Sequence, residues 1–293
     1  MLIDSFEFLT KTDKVNGIFT FDQAKLLKKN NYEVVILSPG LFSPRDYFKS
    51  KLYKKFEVKN GISIYRKYKK NFLPTRINAF NPLIVKKISS LSIDLFEEYL
   101  KKNTKPDLLH AHKIRYSLFA AHSIYLKYKI PFIITEHNSD ILLNNFPNSI
   151  KEETRKIIKK SKNFNSVSNI ASKKIASYFN IKKVDVLNNV IPEIFYKKFK
   201  RNKKKKNFIF LSVSRFDKNK NVKMLIDVFI NNFSNLNASL YIFGGGTDIN
   251  MFKYYVKKKG LQKKIKLFGF TNREIIANHY NKCDCFVIPS HQE

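Results

Sequence analysis

The sequence LSVSRFDKNKN, from Leu211 to Asn221, joins the end of an apolar run to a cationic loop and the start of a periodic segment. The apolar run 208–213 has the length of a β-strand, and apolar residues recur at helical spacing after Asn221. The loop between them carries Arg215 and Lys220. A helix N-terminus presents unpaired N–H groups and a positive dipole end, so this order predicts an anion site. An ordinary strand–loop–helix turn with solvated charges is the alternative.

Short apolar strands alternate with amphipathic helices on both sides of this loop. EVVILS at 33–38 and DLLHAH at 107–112 have the length of strands, and we expect Pro39-Gly40 to end the first of them. Residues 82–100 carry apolar side chains at helical spacing. This alternation predicts parallel βαβ units and therefore an α/β fold.

The segment 197–207, KKFKRNKKKKN, has no apolar periodicity and repels itself, which predicts a linker. A nucleic-acid or nuclear-localisation tract is the alternative, but the segment lacks interleaved aromatic pairs, so nucleic acid is disfavoured as a partner. The linker divides the chain into Rossmann-like domains at 1–196 and 208–293. The second domain ends on a predicted strand, which would leave one sheet face bare, so we expect this domain to be truncated.

Ligands of open parallel sheets bind beyond the carboxyl ends of the strands. Two Rossmann-like halves that face each other would place those ends around one cleft. His110 and His112 share one strand face with a spacing that suits a metal, but no cysteine or carboxylate is placed to complete a metal site. The residues at the predicted strand ends are Gly17, His110, His112, Glu136 to Asn138, Ser166, Ser168, Arg215, Lys220, Gly244 to Gly246, Gly269 and Ser290 to Glu293.

The net charge of +33 comes from 56 Lys plus Arg against 23 Asp plus Glu. A field of this sign favours anionic partners, including an acidic membrane surface and phosphorylated substrates. Because the lysines are spread along the chain, a compositional bias of an AT-rich genome is the alternative cause.

Several function classes are disfavoured by what the sequence lacks. No apolar run approaches the roughly 20 residues of a membrane span, and the N-terminus has no secretory-signal pattern. Cys283 and Cys285 alternate along one predicted strand, which suits reduced thiols in a cytosol. No Gly-x-Gly-x-x-Gly follows the first strand, and neither a P-loop nor a nucleophile elbow occurs. A dehydrogenase, a P-loop kinase and an α/β-hydrolase are therefore disfavoured.

Four stretches in order, from residue 16 to residue 293, resemble the retaining family-4 glycosyltransferases, which have the GT-B fold of two Rossmann-like domains facing a cleft. Asn16-Gly17-Ile18-Phe19, with the helix and strand that follow, is similar to the family's glycine loop. Thr135-Glu136-His137 resembles its strand-end "TEH". Ser214-Arg215 with Lys220 resembles its "GR…K" pair, with serine in place of the frequent glycine. DCFVIPSHQE at 284–293 resembles the "D-x-x-x-x-P-S-x-x-E" that opens its Glu-x7-Glu signature.

The resemblance implies transfer of a sugar from a nucleotide-diphosphate donor to a glycan or lipid-linked acceptor, with retention of configuration, in cell-surface polysaccharide or glycolipid synthesis. Arg215 and Lys220 would neutralise the donor diphosphate without a metal, so no cofactor is expected. Gly17 would let the backbone approach that diphosphate or the acceptor. His137 and Glu293 would be the catalytic residues, with His137 hydrogen-bonded to the donor sugar or acceptor and Glu293 near the donor sugar. Phe270 and Gly244 would lie near the nucleotide.

The same resemblance places the first domain on the acceptor side and the second on the donor side, with the family's second glutamate beyond residue 293. Residues 1–15 fit the first strand that is usual in this family poorly. The expected location is the cytoplasm, peripheral to the inner face of the membrane. The alternatives are a non-catalytic basic module that binds anionic membrane or nucleic acid, an inactive fragment, and a GT-B phosphorylase or epimerase. A structural role is the alternative for His137.

Overall fold

The computed structural model describes residues 1–5, 17–44, 54–74, 77–137, 140–196, 207–246 and 248–291. The chain folds into two compact units, Met1–Val190 and Ile191–Glu293. The predicted boundary after residue 196 and the linker 197–207 stay predictions, since residues 197–206 lie outside the described ranges.

The first unit is built on one sheet of eight strands, which are β1 (Leu2–Asp4), β2 (Val35–Phe42), β3 (Phe56–Lys59), β4 (Ile62–Lys70), β5 (Leu109–His112), β6 (Phe132–Glu136), β7 (Asn163–Ser166) and β8 (Asp185–Val186). Their order is β3-β4-β2-β1-β5-β6-β7-β8. Neighbours pair in parallel, except that β3 and β4 form an antiparallel pair at the edge.

Helices cover both faces of this sheet, namely α1 (Ile18–Lys29), α2 (Asn81–Leu100), α3 (Ser117–Tyr128), α4 (Lys151–Ile158) and α5 (Asn169–Phe179). Leu2 packs in one buried cluster with Phe21 and Ala24 of α1, whereas Ile3 packs in another with Ile88 of α2. Consecutive strand residues point to opposite faces, so α1 and α2 lie on opposite sides of β1. Burial on both faces explains why the strands are short apolar runs.

The second unit contains the strands β9 (Phe208–Val213), β10 (Ala238–Phe243), β11 (Ile265–Gly269) and β12 (Cys285–Phe286), paired in parallel in the order β11-β10-β9-β12. Its helices are α6 (Val222–Phe233), α7 (Ile249–Lys258) and α8 (Arg273–Lys282). The buried side of α6, including Ile226 and Phe229, packs with Leu240 and Ile242 of β10. The βαβ alternation predicted from the sequence is thus present in both units.

Two expectations about the first strands were wrong. Residues 2–4 form β1, which lies between β2 and β5 at the middle of the sheet, although residues 1–15 fitted a first strand poorly. The second strand does not end at Pro39; it continues to Phe42 and pairs with β4 along its length. Among the described residues, β1 pairs with β2 only up to Leu37. The nitrogen of Pro39, which has no hydrogen to donate, can therefore face the side of β2 where no described strand pairs with it.

None of the helices within the described ranges is both long enough and apolar enough to cross a bilayer.

Candidate functional site

Polar side chains gather at the carboxyl ends of β1, β5 and β6 in the first unit. The strand register places Asp4 beside His112, and His112 beside Thr135. The ring centroids of His110 and His112 lie 4.3 Å apart, and those of His112 and His137 lie 5.1 Å apart with the planes nearly parallel. The three histidines, His110, His112 and His137, form what we call the histidine cluster.

Hydrogen bonds fix each ring of the histidine cluster. His112 Nδ1 lies 2.9 Å from His137 Nε2, and His137 Nδ1 lies 3.1 Å from Asn189 Oδ1. His110 Nε2 lies 2.8 Å from Thr135 Oγ1. The ring of Phe19, on α1, stacks on His137 with centroids 5.8 Å apart. Both ring nitrogens of His137 therefore have partners inside this unit.

Burial keeps the histidine cluster neutral. Loss of hydration lowers the pKa of His137 to about 4 and that of His110 to about 3, and it holds the pKa of His112 well below its ordinary value. The neighbouring histidines lower the pKa values of His110 and His112 further. At neutral pH each ring has one N–H donor and one nitrogen acceptor, which suits directed hydrogen bonding.

A buried carboxylate ties together the elements around the cluster. Asp4 is fully buried and accepts hydrogen bonds from Thr20 Oγ1 at 2.7 Å and from Lys113 Nζ at 2.8 Å. Gly17 lies at the N-terminus of α1 with φ 72°, a left-handed conformation that glycine adopts without strain. Its predicted contact with a diphosphate or acceptor stays a prediction.

The predicted pairing of His110 and His112 on one strand face is present, and their nearest polar partners are Thr135 and His137. Within the described ranges, no three His, Cys, Asp or Glu side chains come together in a way that could hold a metal ion.

Backbone hydrogen bonds join the three strand-end loops of the second unit. The N–H of Ser214 donates to the carbonyl of Phe243 at 3.0 Å, and the N–H of Phe216 donates to that of Gly245 at 2.9 Å. The N–H of Gly244 donates to the Gly269 carbonyl at 2.9 Å. The cationic loop after β9 is thereby fixed to the glycine loop after β10.

The three consecutive glycines are needed for this close approach. A Cβ on Gly244 would lie 1.9 Å from the Ser214 carbonyl oxygen, and one on Gly246 would lie 2.5 Å from that of Phe216. A Cβ on Gly245 would meet the ring of Phe270, whose side chain is 67% exposed. The close approach that these glycines allow is thus made to the protein's own backbone. The nucleotide contacts expected of Gly244 and Phe270 stay predictions.

Arg215 and Lys220 share one loop and one acidic neighbour. The Arg215 side chain is 72% exposed and its Nη2 lies 3.1 Å from Asp217 Oδ2. Asp217 Oδ1 accepts from the backbone N–H of Lys220 at 3.1 Å and so caps the turn Lys218–Lys220. Asn221 lies at the N-cap position just before α6 in a left-handed conformation, and its side-chain amide lies against Met224 Sδ. The guanidinium is thus held beyond the carboxyl end of β9 by a carboxylate that also orders the loop.

Sequence reasoning missed Asp4, Lys113, Asn189 and Asp217. Strand-end position would have indicated Asn189, which follows β8, and Asp217, which follows β9. Asp4 was hidden because only three residues form β1. Asn138 and Glu293 lie outside the described residues, and the role of Glu293 stays a prediction.

Two family models match the chain. One described as Glycosyltransferase Family 4 matches residues 17–193, and one described as Glycosyl transferases group 1 matches residues 194–293. The glycosyltransferase TuaC of Bacillus subtilis strain 168, provisionally assigned to teichuronic acid biosynthesis, is 25% identical over 132 residues. This match covers 43% of the present chain and 32% of that relative, about a third of its length.

Solved structures show the same fold over the whole chain. Sucrose-phosphate synthase from Thermosynechococcus elongatus has a TM-score of 0.68 and 14% identity, with 100% of this chain and 75% of that chain covered. Anabaena HepE in complex with UDP-glucose has a TM-score of 0.60 and 13% identity, with coverages of 99% and 73%. The predicted α/β architecture of two Rossmann-like units is therefore confirmed as the GT-B fold. Since one family model alone covers more than half of the chain, the protein belongs to glycosyltransferase family 4.

Proposed function

We propose that this protein transfers a sugar from a nucleotide-diphosphate donor to a glycan or lipid-linked acceptor with retention of anomeric configuration. Membership of glycosyltransferase family 4, a retaining family, supports the reaction type. The likeness to TuaC supports a role in cell-surface polysaccharide or glycolipid synthesis. HepE has been solved with UDP and with UDP-glucose, which supports a nucleotide-sugar donor and makes UDP-glucose the first donor to test.

The observation that carries the proposal is the cationic loop at the carboxyl end of β9. Arg215 and Lys220 stand at the end of a parallel strand, where α/β sheets bind ligands. Sugar transfer leaves a nucleoside diphosphate, and fixed positive charge stabilises the negative charge that develops on this leaving group. The ion pair of Arg215 with Asp217 is exposed, and such pairs contribute little to stability. A diphosphate can therefore compete with Asp217 for the guanidinium.

The remaining roles are proposed for each unit separately. In the first unit, His137 donates a hydrogen bond to the donor sugar or the acceptor, and Gly17 lets backbone approach the diphosphate or the acceptor. In the second, Glu293 contacts the donor sugar, while Phe270 and Gly244 contact the nucleotide. The net charge of +33 supports a peripheral position at the cytoplasmic face of an acidic membrane.

Calorimetric titration of the chain with UDP and with UDP-glucose tests the donor site. We expect Arg215→Ala and Lys220→Ala each to weaken UDP binding about tenfold or more, because each removes a charge-assisted contact to phosphate. Lys258→Ala is the matched control: it removes an exposed lysine at the far end of α7 from the strand-end loops, and its affinity for UDP should equal that of the unchanged protein.

Transfer or hydrolysis of UDP-glucose by Arg215→Ala at the unchanged rate would contradict the diphosphate role. A non-catalytic anion-binding module is the second candidate, favoured by the same net charge. It would show no nucleotide binding together with salt-sensitive retention on anionic vesicles.

A further inference from the structure

Two hydrogen bonds hold His137 by opposite nitrogens, one shared with a buried histidine and one shared with an exposed amide. Nε2 meets His112 Nδ1 at 2.9 Å, and Nδ1 meets Asn189 Oδ1 at 3.1 Å. We infer that His112 is a positioning residue that holds His137 in the Nδ1-protonated tautomer, with that N–H directed to where Asn189 lies. The inference rests on the proposed role of His137 as the hydrogen-bond donor to a sugar.

The protons along the hydrogen-bonded row Asn189–His137–His112 can be assigned from both of its ends. At the exposed end, the amide oxygen of Asn189 requires an N–H on His137 Nδ1, which leaves Nε2 as an acceptor. His112 must then donate from Nδ1, so its own Nε2 carries no proton. That nitrogen is buried and has no hydrogen-bond partner among the residues that the structure describes.

The reverse order of protons would be less stable. With the protons reversed, Asn189 would have to present its NH2 group to His137 Nδ1. The buried Nε2 of His112 would then carry an unpaired N–H. Buried N–H groups without partners are rarer than under-used acceptors, because the lost hydrogen bond is not replaced. Burial that keeps all three rings neutral supports the same arrangement, since a doubly protonated His137 could not accept from His112.

His112 is suited to hold His137 in one tautomer because its own ring cannot rotate. It is fully buried on β5, between the rings of His110 and His137. Asn189, by contrast, is exposed in the chain after β8. A sugar hydroxyl oxygen can therefore replace the Asn189 amide as the acceptor, while the His112 bond keeps the donor pointing outward. The Phe19 ring, nearly parallel to His137 at an angle of 4°, limits rotation of the imidazole plane.

The tautomer can be measured directly by nitrogen-15 NMR of histidine in the full chain, without any knowledge of the true donor or acceptor. We expect His137 in the unchanged protein to carry its proton on Nδ1. His112→Leu removes the buried donor and should convert His137 to a mixture of tautomers. His112→Asn places an amide N–H near the position of Nδ1 and should restore the Nδ1-protonated form.

Hydrolysis or transfer from UDP-glucose adds a second measurement. His112→Leu should lower kcat by about tenfold or more, since a misdirected donor is lost from the transition state. His112→Asn should recover most of this loss. UDP affinity should be unchanged in both variants, because the charged contacts to the diphosphate proposed for Arg215 and Lys220 lie in the second unit. A general loss of folding would instead lower both kcat and UDP affinity.

Asn189→Ala keeps the inference testable if His112→Leu does not fold, because Asn189 is exposed. With His112 intact, His137 should remain protonated on Nδ1 in this variant. A switch of tautomer in Asn189→Ala, or an unchanged tautomer in folded His112→Leu, would overturn the inference. Failure of UDP to bind would instead count against the proposed function and would leave the tautomer measurement standing.

Discussion

Asp4 shows how one buried carboxylate connects three elements. It lies at the end of β1 and accepts from Thr20 on α1 and from Lys113 in the loop after β5. Its side chain is fully buried, and that of Lys113 is only 21% exposed. Removal of one partner from such a pair leaves the other charge poorly solvated, which is the main cost of breaking a buried ion pair.

We therefore expect Asp4→Ala to lower the free energy of unfolding by about 3 kcal/mol. Asp94→Ala is the control, because Asp94 pairs with Lys67 and Lys69 at the surface and is 41% exposed; its loss should cost less than about 1 kcal/mol. Urea unfolding followed by far-UV circular dichroism measures both variants. Equal stability of Asp4→Ala and Asp94→Ala would show that the buried pair does not support the first unit.

Sequence reasoning at the residue scale located side chains but not their partners. His137 and Arg215 were found because strand ends can be recognised from short apolar runs. Asn189 and Asp4 join their partners across distances of 52 and 109 residues along the chain, respectively, and no local pattern encodes such contacts. The role of Asp217 was hidden for another reason: a carboxylate two residues from an arginine is indistinguishable from a solvated charge until the loop is folded.

At the scale of elements, the glycine loop determines how β9 and β10 can end side by side. Gly244 has φ 118°, a region that L side chains rarely adopt, and its Cβ position lies inside the contact radius of the Ser214 carbonyl. Gly260, at the end of α7, also has a positive φ of 70° but has nothing within 4 Å of its Cβ position. The two glycines differ mainly in the space around them.

Gly244→Ala should accordingly destabilise the second unit by about 3 kcal/mol or more, because backbone strain adds to a clash that cannot be relieved by a side-chain movement. Gly260→Ala should cost only about 1 kcal/mol, the penalty of the left-handed conformation. Thermal unfolding followed by circular dichroism compares the two variants. If both melt at the same temperature, the fixed contact between the two loops is not important for stability.

Element boundaries were predicted least well where pairing overrides local preference. Pro39-Gly40 indicated a strand end, yet β2 continues because β4 supplies a ladder on one side. Thr271 could cap α8 from one position earlier, yet Asn272 is the residue that accepts from the N–H of Ile275 at 2.9 Å. Asparagine caps as well as threonine, so the sequence offers two starts one residue apart. The helix α7 was not predicted at all.

For the whole molecule, the order of weak signals was more informative than any one of them. A parallel sheet binds its ligand at the carboxyl ends of its strands. The ligand-binding residues therefore follow the apolar strand segments in a fixed order along the chain. This is why a glycine loop, a strand-end histidine and a cationic loop could together indicate the family. The source of the high positive charge could not be inferred in the same way, because a lysine on a solvated face constrains no contact.

Acid sensitivity is a property of the first unit as a whole, since several of its buried and half-buried histidines are uncharged when folded. Burial lowers the pKa values of His110, His137 and His122 to about 3, 4 and 4, against about 6.5 in an unfolded chain. Below pH 6.5 the unfolded chain therefore binds protons that the folded chain does not. Their stabilising effect is fully present above pH 6.5 and decreases as the pH falls toward the folded pKa values.

We expect the free energy of unfolding of the first unit to fall between pH 6.5 and about pH 4, with each such histidine contributing about 1.4 kcal/mol per pH unit. Urea titrations at several pH values and constant ionic strength measure this slope. Because acid also increases the repulsion of an already positive chain, His122→Gln is the control. This substitution removes one titrating histidine that lies outside the histidine cluster, and it should reduce the slope by about 1.4 kcal/mol per pH unit. If general charge repulsion caused the slope, the substitution would leave it unchanged. A stability that stays constant from pH 7 to pH 5 would mean that the buried histidines are protonated in the folded chain.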